Sequence, residues 1–154
     1  RLIGEGCHFI DLVVAFTGAS VETVNASAIP RKNQPALLWE NFSLSLGMSD
    51  GSVGTIVYTS IGDTGLPKEY IEVYCGGKVG VIDDFKSADL WSNGKRKKTK
   101  LSRQDKGQQR QMEAWVECLK KGSSPISFSE IINVHKTCFA AIESMKDRET
   151  IRIA

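Results

Sequence analysis

Residues 41–58 read Asn-Phe-Ser-Leu-Ser-Leu-Gly-Met-Ser-Asp-Gly-Ser-Val-Gly-Thr-Ile-Val-Tyr, and this stretch gives the clearest indication of the fold class. In its first half, large apolar side chains alternate with small or polar ones, which is the period of a strand with one buried and one polar face. Asp50 and Gly51 follow as a turn that tolerates positive φ, and residues 53–60 supply a partner strand. The stretch therefore predicts an antiparallel β-hairpin.

Similar strand-like segments lie on both sides of this hairpin. Residues 21–29 alternate in the same way ahead of it, and residues 150–153 form a short closing strand. Two more hairpins follow the first: residues 69–75 and 78–83 around Gly76 and Gly77, and residues 85–91 and 95–101 around Asn93 and Gly94. Because consecutive hairpins form an antiparallel meander, we expect a largely antiparallel, open β-sheet of about six strands.

Helical patterns flank the strand-rich region. Residues 5–17 are mostly apolar and end at Gly18, whereas residues 105–121 place apolar side chains at i, i+3, i+4 and i+7. Ser127 and Glu130 have the spacing of a capping box and open a third helix. The sequence thus predicts an α+β domain with helices packed on one face of the sheet.

Composition and charge are those of an ordinary soluble domain. Apolar residues make up 41% of the chain and charged residues 25%, and 20 basic against 18 acidic residues give a net charge of +2. So small a charge provides no long-range attraction for nucleic acid. The sequence contains neither a membrane-spanning run nor a signal peptide, so we expect a cytoplasmic protein with no membrane partner.

Neither a metal site nor a cofactor site is predicted within the chain. The cysteines lie far apart in apolar runs without a C-x-x-C pair: Cys7, Cys75, Cys118 and Cys138. We expect these to be buried, reduced thiols rather than disulfides or zinc ligands. Gly76, Gly77 and Gly80 do not form a dinucleotide-binding turn, because they lie between two strands and no helix follows them.

A dense basic run, Lys95-Arg-Lys-Lys98, is followed by Lys100 and Arg103. On an edge strand such lysines prevent pairing with other chains, and this is the interpretation that we favour. Nucleic-acid binding is not favoured, because no aromatic side chains alternate with the cations for base stacking. Contact with an anionic sugar or with a neighbouring domain is the third alternative.

Residues 1–12, Arg-Leu-Ile-Gly-Glu-Gly-Cys-His-Phe-Ile-Asp-Leu, combine titratable side chains with a mainly apolar helix that we expect to be largely buried. Glu5, His8 and Asp11 are three residues apart, so they share one face of a helix. Two interpretations fit this pattern. Either the three groups move or orient a proton at a site, or His8 is a core histidine hydrogen-bonded by the two acids.

Five segments carry a resemblance to a known family: residues 4–12, 50–58, 67–73, 105–107 and 139–144. Together they resemble the C-terminal domain of the Gfo/Idh/MocA family of NAD(P)-dependent sugar dehydrogenases, over essentially the whole chain. The nearest resemblance is to bi-domain oxidoreductases, in which this domain follows a zinc-dependent alcohol-dehydrogenase-like part and a nucleotide-binding part. It implies that residues 1–154 form a C-terminal substrate-binding and oligomerisation domain, with the Rossmann domain upstream of residue 1.

The same resemblance implies a role for His8. In the family, a histidine on the corresponding helix takes part in proton transfer at the substrate hydroxyl. Many members also carry an aspartate four residues before that histidine. In this chain that position is Gly4 and the acid lies one residue later, so Glu5 is the second catalytic candidate.

Three further residues are candidates for contact with a sugar-like substrate: Asp11, Lys68 and Lys106. Lys106 lies where the sheet leads into a helix and can reach an anionic group there. For Lys68 the interpretation that we favour is a surface ion pair with Glu69 or an anchor for the loop. We interpret His135, on the last helix, as structural.

Two functions remain open. In the first, the chain is the substrate-binding domain of an NAD(P)-dependent dehydrogenase that oxidises or reduces a sugar, polyol or sugar nucleotide. The missing upstream nucleotide-binding domain would bind NAD or NADP, and the isolated fragment would be inactive. In the second, the chain is a non-catalytic interaction module. Its open sheet face, with the polar and small residues Ser43, Ser45, Gly47, Gly54 and Thr55, would mediate homo-oligomerisation or domain docking.

Overall fold

A computed structural model describes residues 1–153 of the chain. Within that range it contains three α-helices and eight β-strands, preceded by a π-helical turn over Leu2–Gly6. In chain order the elements are α1 (Cys7–Thr17), β1 (Val21–Ala28), β2 (Phe42–Met48), β3 (Val53–Tyr58), β4 (Tyr70–Cys75), β5 (Lys78–Asp83), β6 (Ser87–Ser92), β7 (Lys95–Lys100), α2 (Gln108–Lys121), α3 (Phe128–Asp147) and β8 (Ile151–Arg152). No helix in residues 1–153 is both long and apolar enough to cross a bilayer.

The strands form two antiparallel sheets of four strands each, in the orders β3-β2-β1-β8 and β4-β5-β6-β7. The α+β class with an open antiparallel sheet is thereby confirmed, although eight strands in two sheets replace the expected six in one. The first hairpin forms as its pattern predicts, with Phe42 opposite Tyr58. The chain falls into two compact units, one made of residues 1–62 with α3 and β8, the other of residues 63–125.

The core of the first unit lies between its sheet and the helices α1 and α3. β2 buries every second side chain, and Ser43 and Ser45 are exposed on the opposite face. From α1, only Ile10 and Val14 are buried, so the expectation that this helix is largely buried is wrong. One stripe of α1 faces the core, and Phe16 is 47% exposed on another side.

A β-bulge sets the phase of β1 against the core. Val21 lies opposite Met48 but Thr23 lies opposite Gly47, so Glu22 is an extra residue in the ladder. Val21 and Val24, three residues apart, are consequently both buried. A strict alternation, as the sequence suggested, would have placed them on opposite faces.

Side chains of α3 satisfy backbone groups of β1. Asn133 Oδ1 accepts from the Val21 N–H at 2.9 Å, and Asn133 Nδ2 donates to the Val21 carbonyl at 2.9 Å. Farther along the strand, Ser144 Oγ accepts from the Ala26 N–H at 2.9 Å. The helix starts at Ser127, whose hydroxyl accepts from the Glu130 N–H, so the predicted N-cap is confirmed.

The second sheet ends at β7, whose six residues are all exposed. This position agrees with the edge-strand interpretation of the basic run. Arg96 donates two hydrogen bonds to Asp89, at 3.0 and 2.8 Å, and its guanidinium lies 5.1 Å from the ring centroid of Trp91. The hydrogen bonds from Arg96 lower the pKa of Asp89. β6 and β7 are thus joined by a charge-assisted pair as well as by their ladder.

α2 begins later than expected, at residue 108 rather than 105, and ends at Gly122 as predicted. Its apolar stripe is exposed: Met112, Trp115, Val116 and Leu119. No residue of α2 is buried against the described part of the chain. The expectation that the helices pack on a sheet therefore holds for α1 and α3 and is wrong for α2.

The cysteines differ in their surroundings. Cys138 is buried in the core, and burial raises its pKa to about 12. Cys7 and Cys118 are half-buried, and Cys75 is exposed. The prediction of buried thiols is confirmed for Cys138 and wrong for Cys75, because Cys75 ends an edge strand beside the Gly76 turn.

Candidate functional site

The π-helical turn Leu2–Gly6 directly precedes α1, the helix that carries His8. The carbonyl of Arg1 accepts hydrogen bonds from the N–H groups of Glu5 and Gly6, at 2.8 and 3.2 Å. A Cβ at Gly6 would lie 2.7 Å from Leu2 Cδ1 and 3.1 Å from Phe42 Cζ, so any other residue here would force these two side chains to shift. The start of α1 is thereby held on the end of β2.

Three aromatic rings form the support beneath this helix start. Tyr58 stacks on Phe42 with 5.1 Å between ring centroids and an interplanar angle of 8°. Phe9, which follows His8 in the chain, meets Tyr58 edge to face at 6.1 Å. Such geometries are the favourable ones for aromatic pairs. The rings join α1 to both strands of the first hairpin.

His8 itself is exposed on α1. Its imidazole makes no hydrogen bond or ion pair with the other residues in the range 1–153. The interpretation of His8 as a core histidine bonded by Glu5 and Asp11 is therefore wrong. An exposed imidazole without a partner retains both ring nitrogens for an incoming group.

Glu5 is directed to another partner. Its carboxylate lies 3.9 Å from the guanidinium of Arg1, and both side chains are half-exposed. Because Glu5 belongs to the π-helical turn, whereas His8 and Asp11 belong to α1, the three residues do not follow one α-helical period. Only His8 and Asp11, a half-buried residue, retain the i, i+3 relation that the spacing suggested.

The other two candidates, Lys68 and Lys106, belong to the second unit. Lys106 Nζ lies 2.6 Å from Glu69 Oε1 and 5.8 Å from the ring centroid of Phe85. The ion pair expected between Lys68 and Glu69 is therefore wrong, because Lys106 occupies that role. The second carboxylate oxygen of Glu69 is buried without a partner among residues 1–153.

The loop beside this ion pair is held by a second charged contact. Asp84 is buried and adopts a φ of 49°, and Lys86 Nζ lies 2.6 Å from its carboxylate. Gln104 donates to the same carboxylate at 3.0 Å. The hydrogen bond from Lys86 lowers the pKa of Asp84. Lys106 thus already bonds Glu69 within the second unit, and its contact with an anionic substrate stays a prediction.

Sequence reasoning missed two residues near the start of α1. Tyr58 ends β3, and the alternation pattern predicts it only as a strand residue. Asn41 precedes β2, and its Oδ1 accepts from the Ser60 N–H at 2.7 Å and from Thr59 Oγ1 at 3.2 Å. Asn41 therefore fixes the chain just beyond Tyr58. The usable signal was the hairpin register, which places Phe42 opposite Tyr58.

No protein-family model and no curated protein sequence matches this chain. Solved structures do match its fold. An oxidoreductase from Agrobacterium radiobacter in complex with NAD+, L-tartaric acid and magnesium has a TM-score of 0.79 at 15% identity, over 99% of this chain and 49% of its own. Levoglucosan dehydrogenase in complex with NADH and L-sorbose has a TM-score of 0.78 at 14% identity, over 98% and 49%.

A third match is the aldose-aldose oxidoreductase from Caulobacter crescentus complexed with glycerol, with a TM-score of 0.76 and 16% identity. It covers 96% of this chain and 45% of its own. The chain thus spans about half the length of the solved structures that it matches. At these identities the likeness establishes a shared fold.

Proposed function

We propose that this chain, whose fold is that of about half of several oxidoreductases, is the substrate-binding domain of an NAD(P)-dependent dehydrogenase acting on a sugar, polyol or sugar nucleotide. The observation that carries the proposal is the state of His8, an imidazole at the protein surface with no internal partner on a helix start fixed by Gly6 and the aromatic rings. A histidine whose imidazole has no hydrogen-bond partner in the protein, and whose helix is held by close packing, is suited to proton transfer.

The cofactor is assigned to a separate upstream domain. The described residues contain no glycine-rich turn that leads from a strand into a helix, which is the arrangement that holds a dinucleotide pyrophosphate. When bound, NAD or NADP supplies the hydride acceptor or donor. In this proposal, His8 takes the proton of the substrate hydroxyl during oxidation and returns it during reduction, and Asp11 lies one helical turn away to contact the same substrate.

Substitution of His8 in the complete gene product tests the proposal. We expect His8→Ala to lower kcat by roughly 10²- to 10⁴-fold, the usual contribution of general acid–base catalysis, with cofactor affinity retained. Turnover would be measured with NAD and NADP against levoglucosan, L-sorbose, glycerol and UDP-glucose. His135→Ala is the matched control, since His135 is the other histidine and its Nδ1 lies 2.8 Å from the Ile131 carbonyl. A His8→Ala enzyme with normal turnover would contradict the assignment.

A second function, self-association, has its own supporting observation. The face of the first sheet opposite the core is solvent-exposed and includes Val53 and Val57, which are 72% and 76% exposed. Small polar residues surround them, among them Ser43, Ser45 and Thr55, so the face is flat enough to pack on another sheet. We propose that a second copy of the chain covers this face, either beside the dehydrogenase role or, as an interaction module, without it.

A further inference from the structure

The ring of Tyr58 packs against two other aromatic rings. Phe42 stacks against one face at 5.1 Å, and Phe9 contacts the ring edge to face at 6.1 Å. The backbone beyond it is held where Asn41 Oδ1 accepts from the Ser60 N–H. The phenol therefore has little freedom to reorient, and a group that is ordered in advance loses less entropy when it binds a ligand.

The hydroxyl of Tyr58, in contrast, has no hydrogen-bond partner among the described residues. It makes no hydrogen bond with any residue in the range 1–153, and it is not among the buried polar atoms that lack a partner, so it reaches the surface. Tyr70 shows the other situation, since its hydroxyl donates to Glu72 Oε1 at 3.1 Å. The ring of Tyr58 therefore contributes to packing, whereas its hydroxyl is free to form a hydrogen bond with a ligand.

Tyr58 and His8 rest on the same support. Phe9 is the residue after His8, and Gly6, two residues before it, closes on the ring of Phe42. A shift of the start of α1 would therefore move His8 together with the packing of Tyr58. A phenol both donates and accepts a hydrogen bond and carries no charge at neutral pH, which suits a neutral hydroxyl better than an anion.

We propose that Tyr58 binds and positions the substrate by hydrogen-bonding a hydroxyl next to the one that His8 deprotonates, and so selects polyhydroxylated substrates. This inference rests on the proposed dehydrogenase function and adds a residue that contributes to specificity. Its strength follows from the nature of the contact. A site that hydrogen-bonds a substrate hydroxyl discriminates against analogues that lack it, because the partner in the protein is then left unpaired.

Tyr58→Phe in the complete gene product tests this role, because it removes the hydroxyl and keeps the stacked ring. With the substrate that the wild-type enzyme turns over among levoglucosan, L-sorbose, glycerol and UDP-glucose, we expect KM to rise about tenfold and kcat to change little, as for one lost neutral hydrogen bond. Monodeoxy analogues of that substrate complete the experiment. For the analogue that lacks the partner hydroxyl, Tyr58→Phe should cause no further loss.

Tyr70→Phe is the control, and its KM should remain that of the wild-type enzyme. An active, His8-dependent enzyme whose KM is unchanged by Tyr58→Phe would overturn the Tyr58 proposal and leave the proposed function intact. So would a loss that is equal for every monodeoxy analogue. A complete gene product without NAD(P)-dependent turnover of any of the four compounds would contradict the proposed function, and the role of Tyr58 with it.

Discussion

Gly6 determines how closely α1 approaches the first hairpin. A methyl group added to its Cα would overlap Leu2 and touch Phe42, and both of those side chains are buried. Because both side chains are packed in the core, moving them aside costs free energy. The position of His8, two residues later, therefore depends on the absence of one side chain.

Gly6→Ala should destabilise the protein by roughly 1–3 kcal/mol, the usual cost of overpacking a core. Chemical denaturation of this chain measures the free energy of unfolding. Gly4→Ala is the matched control, because a Cβ at Gly4 meets nothing within 4 Å. We expect that variant to be neutral or slightly stabilised, since alanine restricts the unfolded chain more than glycine does. Equal stabilities for the two variants would contradict the packing role of Gly6.

At the scale of elements, the strands and helices follow from local patterns. The alternation in residues 41–48 gives β2 and the capping residue Ser127 starts α3, because each signal acts over a few neighbours. The features that the local sequence patterns do not predict depend on contacts between residues far apart in sequence. The π-helical turn before α1 meets Phe42 at Gly6, where a larger residue would displace its neighbours, and the bonding of Glu69 to Lys106 joins residues 37 positions apart.

In the candidate site, too, some features follow from local sequence and others depend on tertiary contacts. His8 could be found from spacing and resemblance, but its exposure could not, since that depends on which stripe of α1 packs on the sheet. Tyr58 was missed because an aromatic residue at the end of a strand is ordinarily core. Only the tertiary structure separates its packed ring from its unused hydroxyl.

The pairing of Asp89 with Arg96 predicts an acid-sensitive hairpin. The folded state lowers the pKa of Asp89, so the stabilisation is present above the unfolded value of about 3.9 and is lost as the pH falls through the lower folded value. Asp89→Asn should lower the urea midpoint at pH 7 and weaken its decrease between neutral and acid pH. Arg96→Gln should act similarly, and the double variant should add little. Fully additive losses would show that the pair is not coupled.

At the scale of the whole molecule, large apolar side chains remain exposed in both units. The outer face of the first sheet carries Val53 and Val57, and α2 carries Trp115 and Leu119. Surfaces of this kind are typical of chains that bind a partner, because soluble monomers rarely leave extended apolar patches uncovered. The sheet face is continuous across β1, β2 and β3, which favours it as the contact between copies.

Val57→Lys should weaken self-association of the chain, because a lysine on that face would be buried without a partner charge in the assembled state. Sedimentation over a range of concentrations would show a shift toward the monomer. Leu66→Lys is the matched control, since Leu66 is equally exposed at 76% but lies in a loop outside the first sheet. A wild-type chain that stays monomeric at high concentration would contradict the proposed use of the sheet face.

Glu22 is the extra residue in β1, and the side chains on either side of it stay in phase with the core. Ala26 and the residues around it are tied to α3 through Ser144, and Val21 is tied to the same helix through Asn133. Both ties form with Glu22 present, because this residue bulges out of the ladder and leaves Val21 and Val24 on the same face. Deletion of Glu22 would leave Val21 and Val24 two positions apart, the spacing of residues on one face of a regular strand, so both valines should stay on the core side without the bulge. The bulge therefore accommodates one additional residue in β1 without changing which of the neighbouring side chains reach the core.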